Sequence, residues 1–282
     1  MLTSGYPKIL GIVNITEDSF SDGGRYLETQ AAIDHALALI KSGADIIDLG
    51  PASSNPDAKP VTAEAEIERL RPLVSPLEAT GAEISIDSFQ PATQRWAMAS
   101  NVDYLNDIEG FANPEIYPEL KASGCQLFLM HSIQRKGIAT RIQSDPNHIL
   151  DEISLFFDER LAALLKAGIS KDRIILDPGM GFFLGENEAS SVKVLQNLAL
   201  IRDRFDLPLL ISVSRKSFLR KISMKNANES GAATLAAEIF AAMNGADYIR
   251  THDTAALHDA REGMAAALEE ANREAARERE EA

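Results

Sequence analysis

Almost every apolar run in this chain stops at a residue able to do chemistry. The runs end at Asn14, Asp48, Asp87, Asn106 with Asp107, His131 and Asp177, and the last two pass into Ser214-Arg215-Lys216-Ser217 and Arg250-Thr251-His252. An Asp, Asn or Ser in such a place can also simply cap the next helix. Capping does not explain why Arg215, Lys216, Arg250 and His252 gather in an acidic chain, and these four read as cations of an anion site. The acids and amides of the third, fourth and sixth runs offer donors and acceptors in pairs, which suits a flat, nitrogen-rich ring.

The stretch IILDPGMGFFLG, 174–185, adds a loop with glycines and two adjacent phenylalanines. A phosphate cradle combines glycines with a helix start and often a lysine. This loop has Met180, Phe182 and Phe183 and no cation, so it favours a slot for a ring. Core packing is the competing reading for both phenylalanines. Gly179 and Gly181 are expected to let the backbone pass close to a ligand.

These residues need a scaffold, and the periodicity supplies one. Eight short β-rich runs, KILGIVNIT, ADIIDLG, EISIDS, VDYLNDI, CQLFLMHS, DRIILDPG, LPLLISVS and ADYIRTH, alternate with segments long enough for crossover helices. In the first of these, Ile33, Leu37 and Ile40 fall on one helical face. A glycine precedes the strand in both copies of GAD, at 43–45 and 245–247, as expected of a helix stop. Eight such units in 282 residues predict an α/β fold, a single-domain (β/α)8 TIM barrel over 1–270, followed by a polar helical tail over 271–282. In such barrels the active site is built on the C-terminal ends of the strands, where the polar residues stand.

Composition narrows the partners. A net charge of -14 opposes binding to nucleic acid. No apolar run approaches the length of a membrane span, and no signal pattern opens the sequence. One cysteine, Cys125, sits among apolar neighbours as a buried strand residue, consistent with a cytoplasmic protein.

The motifs GIVNITEDSFSDGG, SIDSFQP, LNDIEGF, LDPGMGF, SVSRKSF and YIRTHD, in this order and spacing, resemble those of dihydropteroate synthases from about residue 8 to about residue 255. That family is a transferase of folate biosynthesis. It joins 7,8-dihydropterin-6-ylmethyl diphosphate to 4-aminobenzoate and releases diphosphate. The resemblance implies a pterin site of Asp87, Asn106, Asp177 and Lys216. It implies a diphosphate site of Asn14, Ser54, Arg250 and His252, with Mg²⁺ on Asn14. It puts 4-aminobenzoate near Phe182, Pro56 and Ser217, and makes Lys216, Arg250 and His252 the groups that stabilise the departing diphosphate. The loop TEDSFSDGGRY, 16–26, is expected to close over the site. Family members are commonly homodimers.

Two stretches depart from the common pattern. The second loop reads Gly50-Pro51-Ala52-Ser53-Ser54-Asn55-Pro56-Asp57, with Asn55 where an arginine is usual, and Phe183-Leu184 stand where Gly-Lys is common. These departures resemble the sulfonamide-insensitive branch known as Sul enzymes. The expectation is that Phe182, Phe183 and Asn55 narrow the aminobenzoate slot against the bulkier sulfonamides. A pterin-binding methyltransferase module and a non-catalytic pterin-binding protein are the alternatives, and pyrophosphate release separates them from a synthase.

Overall fold

The structure, a computed structural model, describes residues 6–15 and 25–281. Its strands are β1 (Lys8–Asn14), β2 (Ile46–Gly50), β3 (Glu83–Asp87), β4 (Tyr104–Asp107), β5 (Gln126–Met130), β6 (Ile174–Asp177), β7 (Leu210–Ile211) and β8 (Tyr248–Thr251). The helices between and after them are α1 (Arg25–Lys41), α2 (Ala63–Glu78), α3 (Pro91–Ala99), α4 (Tyr117–Ala122) and α5 (Ile149–Lys166), then α6 (Glu188–Gln196), α7 (Leu198–Phe205), α8 (Ser217–Ser223), α9 (Gly231–Met243) and α10 (Thr254–Glu281). Helix α10 runs without a break through residue 270.

All strand pairs are parallel, in the order β6-β5-β4-β3-β2-β1-β8-β7. A bridge from Leu176 to Leu209 joins the two ends of this order and makes a barrel. Strand β7 is the shortest, because Pro208 just before it has no N–H for a ladder and offers only its carbonyl, to Leu176 N at 2.9 Å. Three aspartates in the turns before strands help set the register. Asp45, Asp103 and Asp247 accept the backbone N–H of Ile9, Ile84 and Leu209 at 2.8, 2.8 and 2.9 Å.

Side chains on a strand alternate between faces. The outward set packs against the helices in one large core that includes Ile47, Leu49, Ile84, Ile86, Leu127 and Leu129. The inward set forms a plug of Leu10, Ile46, Tyr104, Phe128, Ile175 and Leu210, with Tyr248 against it and the rings of Tyr104 and Phe128 stacked at 5.0 Å. Two residues further along several of these strands, the same inward direction passes to Asp48, Asn106, Asp177 and Arg250. The floor of the site is therefore an apolar plug, and its walls are the next layer up.

Helix α1 buries Ala36 and Leu39, whereas Leu37 is 39% exposed, so the expected Ile33-Leu37-Ile40 face is turned by about one residue. Small Ala36 lets the helix approach the sheet, where Leu39 meets Gly11. Gly43 and Gly245 have φ of +92° and +99° just beyond α1 and α9, as the helix-stop reading requires. Cys125 is buried immediately ahead of β5, and its thiol donates to Val102 O at 3.1 Å. No helix among the described residues is long and apolar enough to cross a membrane.

Candidate active site

The inner cleft lies at the C-terminal ends of the strands. Arg250 spans it, its Nε donating to Asp48 Oδ2 at 2.5 Å and its Nη2 to Asp87 Oδ2 at 2.8 Å. Asp87, Asn106, Asp177, Lys216 and Arg250 all line one cleft, together with Ser54 from the second loop, around about 20 Å³ of free space. That is room for about one water. The Asn106 amide oxygen is buried there without a hydrogen-bond partner. An unpaired buried acceptor is destabilising until a ligand N–H reaches it.

Charge in the cleft is closely balanced. Burial pushes the Asp177 carboxyl up to about 6 and the Asp87 carboxyl upward as well, with Arg250 pulling the other way. Burial brings the Lys216 ammonium down to about 8. Burial also works against the Arg250 cation, but Asp48 and Asp87 outweigh it. Lys216 Nζ lies 5.1 Å from the centroid of the Phe183 ring, a cation–π contact inside the cleft.

The glycines after β6 hold the loop against protein. Asp177 Oδ1 accepts Gly179 N–H at 2.8 Å, and Gly179 has φ of +75°. A Cβ there would stand 2.4 Å from the carbonyl oxygen of His131, the residue after β5, so protein packing by itself demands glycine at this position. Gly181, at φ of +64°, brings the chain to Ser217, whose Oγ would be 3.2 Å from an added Cβ. The short 3-10 turn that follows, Gly181–Leu184, sends the two rings different ways. Phe183 is buried with Ile108, Met130 and Ala139 and lines the inner cleft. Phe182 is half-buried and lines an outer cavity. Phe182 nevertheless packs against the cluster that contains Phe183, so the two rings lie one behind the other between the inner cleft and the outer cavity.

The outer cavity, about 540 Å³, is bounded by Asn55 and Pro56 of the second loop, by Phe182, and by Arg141 and Arg220. Two ties hold the second loop over the barrel mouth. Ala139 N donates to Ser54 O at 3.0 Å, and Arg141 grips both oxygens of Asp57 at 2.7 and 2.5 Å. The Arg141 guanidinium also lies 5.9 Å from the Phe182 ring centroid.

At the rim between β1 and β8, Asn14 is exposed at its strand end. Its Oδ1 would be only 3.2 Å from a Cβ at Gly50, so that glycine leaves the amide its space. His252 contacts Ser214 Oγ through Nδ1 at 2.9 Å and through its backbone N–H at 3.1 Å. Burial, followed by the charges of Arg215, Arg250 and Lys216, takes the ring down to about 3. It is therefore neutral near pH 7, which corrects the expectation of a cation. Arg215 is exposed, with φ of +57° and its N–H on Thr234 Oγ1. His131 is a core residue, Nδ1 on Pro178 O at 3.0 Å and its ring against Phe156. Asp107 is also structural, accepting from Gln94 Nε2 and Glu109 N.

Among the described residues no group of three or more His, Cys, Asp or Glu could hold a metal ion. Residues 16–24 of the loop expected to close over the site lie outside the described residues. Sequence reasoning left out residues that the structure brings to the site, among them Asp48 beside Arg250 and, around the outer cavity, Lys59, Arg69, Arg141 and Arg220. Asp48 carried a signal, an acid in inward register two residues beyond Ile46 in an otherwise apolar strand. The arginines carried none, since their contacts join segments far apart in the chain.

A family described as "Pterin binding enzyme" matches residues 10–252, a span containing every strand end just described. "Dihydropteroate synthase type-2" of Escherichia coli is 54% identical over 263 residues, 93% of this chain and 97% of that one. "Dihydropteroate synthase type-3" of Escherichia coli is 53% identical over 253 residues, 90% and 96% of the two chains. The chain belongs to the dihydropteroate synthases. A solved structure of the Xanthomonas albilineans dihydropteroate synthase with 4-aminobenzoic acid superposes with a TM-score of 0.84 at 33% identity, covering 93% of each chain. Similarity to these synthases thus spans the inner layer, the glycine loop and the outer cavity together.

Proposed function

We propose that this chain condenses 7,8-dihydropterin-6-ylmethyl diphosphate with 4-aminobenzoate to give 7,8-dihydropteroate and diphosphate in folate biosynthesis. The observation that carries the reading is the pair of adjoining sites. An inner cleft of acids, an amide and two cations adjoins an outer cavity with an aromatic wall, and the second loop contributes Ser54 to one and Asn55 and Pro56 to the other.

In the inner cleft, Asp87, Asn106 and Asp177 accept from the pterin's ring N–H and amino groups, while Lys216 donates to its carbonyl edge. The side chains of Lys216 and Phe183 yield to admit the ring, because about 20 Å³ is too little for it. Asn14, Ser54, Arg250 and His252 take the diphosphate. Arg250 contributes charge and neutral His252 contributes a hydrogen bond. At the rim the Asn14 Oδ1 is a hard oxygen of the kind Mg²⁺ takes, and it would hold the ion there. When bound, the ion neutralises charge on the leaving group.

The bond that breaks is C–O, and the pterin nitrogens spread the positive charge left on the exocyclic carbon. The amine nitrogen of 4-aminobenzoate, neutral near pH 7, forms the new C–N bond and then gives up a proton to water. Negative charge grows on the departing diphosphate, so Arg250 and Lys216 stabilise the transition state more than the ground state. Phe182 and Pro56 sandwich the aminobenzoate ring, and Ser217, seated against Gly181, donates to its carboxylate. The narrow setting made by Phe182 and Asn55, with Phe183 behind, disfavours sulfonamides, whose sulfonyl group is tetrahedral and carries a substituent. Exposed Ile222, Met224, Phe240 and Met243 on and beside α8 and α9 support pairing of two copies. The protein works in the cytoplasm.

Pyrophosphate release by the purified protein with both substrates and Mg²⁺, repeated across a sulfamethoxazole titration, tests the whole reading. Release that requires 4-aminobenzoate is expected, and it persists at drug levels that stop a sensitive synthase. Pterin binding without release would leave only a pterin-binding protein. Release lost at low drug would keep the synthase and remove the insensitivity.

A further inference from the structure

Lys59, Arg69, Arg141 and Arg220 bring four positive side chains to the outer cavity, although Asn55 brings none. Three of them are already engaged or solvated. Arg69 Nη1 donates to Pro51 O at 2.6 Å. Arg141 is bound through two nitrogens to Asp57 and lies over Phe182. Lys59 is exposed.

Arg220 differs. Its Nε is buried and has no hydrogen-bond partner. Arg220 also lines the cavity, so a small turn of its guanidinium brings to an acceptor bound there a donor that the protein leaves open. Arg220 is three residues beyond Ser217 on α8, which puts the two on the same helical face, one turn apart. A guanidinium presents Nε–H and a terminal N–H as a planar fork that matches the two oxygens of a carboxylate.

We infer that Arg220 is the carboxylate-recognising residue of the outer cavity, receiving the carboxylate of 4-aminobenzoate beside Ser217. The inference rests on the outer cavity being the aminobenzoate site. It assigns discrimination to a planar anion on a planar fork, in addition to the steric wall of Phe182. A carboxamide or sulfonyl group in the same position lacks the second anionic oxygen and gains little from Arg220.

The test is steady-state kinetics of wild type, Arg220→Gln, Arg220→Lys and Phe182→Ala, with 4-aminobenzoate and with 4-aminobenzamide as acceptors. Arg220→Gln is expected to raise KM for 4-aminobenzoate about 30-fold or more with kcat little changed, since a charged hydrogen bond is lost. KM for the pterin substrate should hold. The preference for carboxylate over carboxamide should collapse, which a loss of packing alone would not produce. Arg220→Lys, which keeps charge without the fork, should recover part of that preference, and it carries the test if the glutamine variant does not fold. An unchanged carboxylate-to-carboxamide preference in either folded variant would overturn the assignment. If Phe182→Ala also leaves the aminobenzoate KM unchanged, the reading of the cavity fails along with it. If Phe182→Ala raises that KM while the Arg220 variants do not, only the assignment to Arg220 fails.

Discussion

Replacing Asp48 by Asn removes one of the two carboxylates that hold Arg250. Asp48 is fully buried and its bond to Arg250 Nε is 2.5 Å long, while the Arg250 side chain is 14% exposed, so little water is at hand to replace the lost partner. Asp87 still holds Nη2, and the arginine is left half compensated. Losing one charged hydrogen bond of this kind costs about 2 kcal/mol. For a chain of this size that lowers Tm by about 5 °C. The larger effect is on chemistry, because an Arg250 held on one side only drifts from the departing diphosphate, and a misplacement of about 1 Å costs about 100-fold in kcat/KM. Thermal melting by circular dichroism reads the first number and pyrophosphate release the second. An Asp48→Asn protein that melts with wild type and keeps kcat/KM within about threefold would refute the idea that Asp48 positions Arg250.

Three further outcomes follow from the geometry. Asp177, raised to about 6, is protonated below that pH, and Lys216, lowered to about 8, is neutral above it. With dihydropterin diphosphate as the varied substrate, kcat/KM should rise through about pH 6 and fall through about pH 8, as a property of the cluster, and Lys216→Arg should abolish the alkaline fall. Phe183→Ala should raise KM for the pterin substrate about tenfold and leave KM for 4-aminobenzoate within about twofold, which parallel titrations of the two substrates would check. Glu238, buried in α9, is raised from 4.5 to about 8 by burial and so binds a proton that the unfolded chain has lost across that window. Stability from this group is full below about 4.5 and is lost as pH rises toward about 8. Glu238→Gln should flatten the decline of the urea midpoint between pH 6 and 8, and an unaltered slope would contradict the buried, protonated state.

The strands were legible because each is a short apolar run ended by a polar residue, and the barrel followed from their number and alternation. The inner cleft was nearly legible for the same reason. Period-two alternation puts Asp177 above Ile175 and Asn106 above Tyr104, so strand ends become cleft walls without knowledge of the rest. The inward face of α1 was misread because Ala36 counts for little in an apolar tally, yet it is the residue that permits close packing. The neutral state of His252 could not be read from its type, since burial decides it first, with Arg215 and Lys216 of the preceding strand end and nearby Arg250 adding to it. The separation of Phe182 from Phe183 depends on a single 3-10 turn, which two adjacent identical letters do not disclose. Contacts such as Arg141 with Asp57, 84 residues apart, exist only once the barrel is closed.

The loop after β6 has two halves with different freedom to vary. At Gly179 any side chain would meet the His131 carbonyl, and at Gly181 it would press on Ser217 in a backbone conformation that disfavours it. Those two positions are closed to substitution by the backbone and its neighbours. Position 182 and the second loop, which face the outer cavity, are open. Variation in the shape of the outer cavity is therefore channelled into a few side chains that line it, while the glycines that carry the loop stay fixed by the fold.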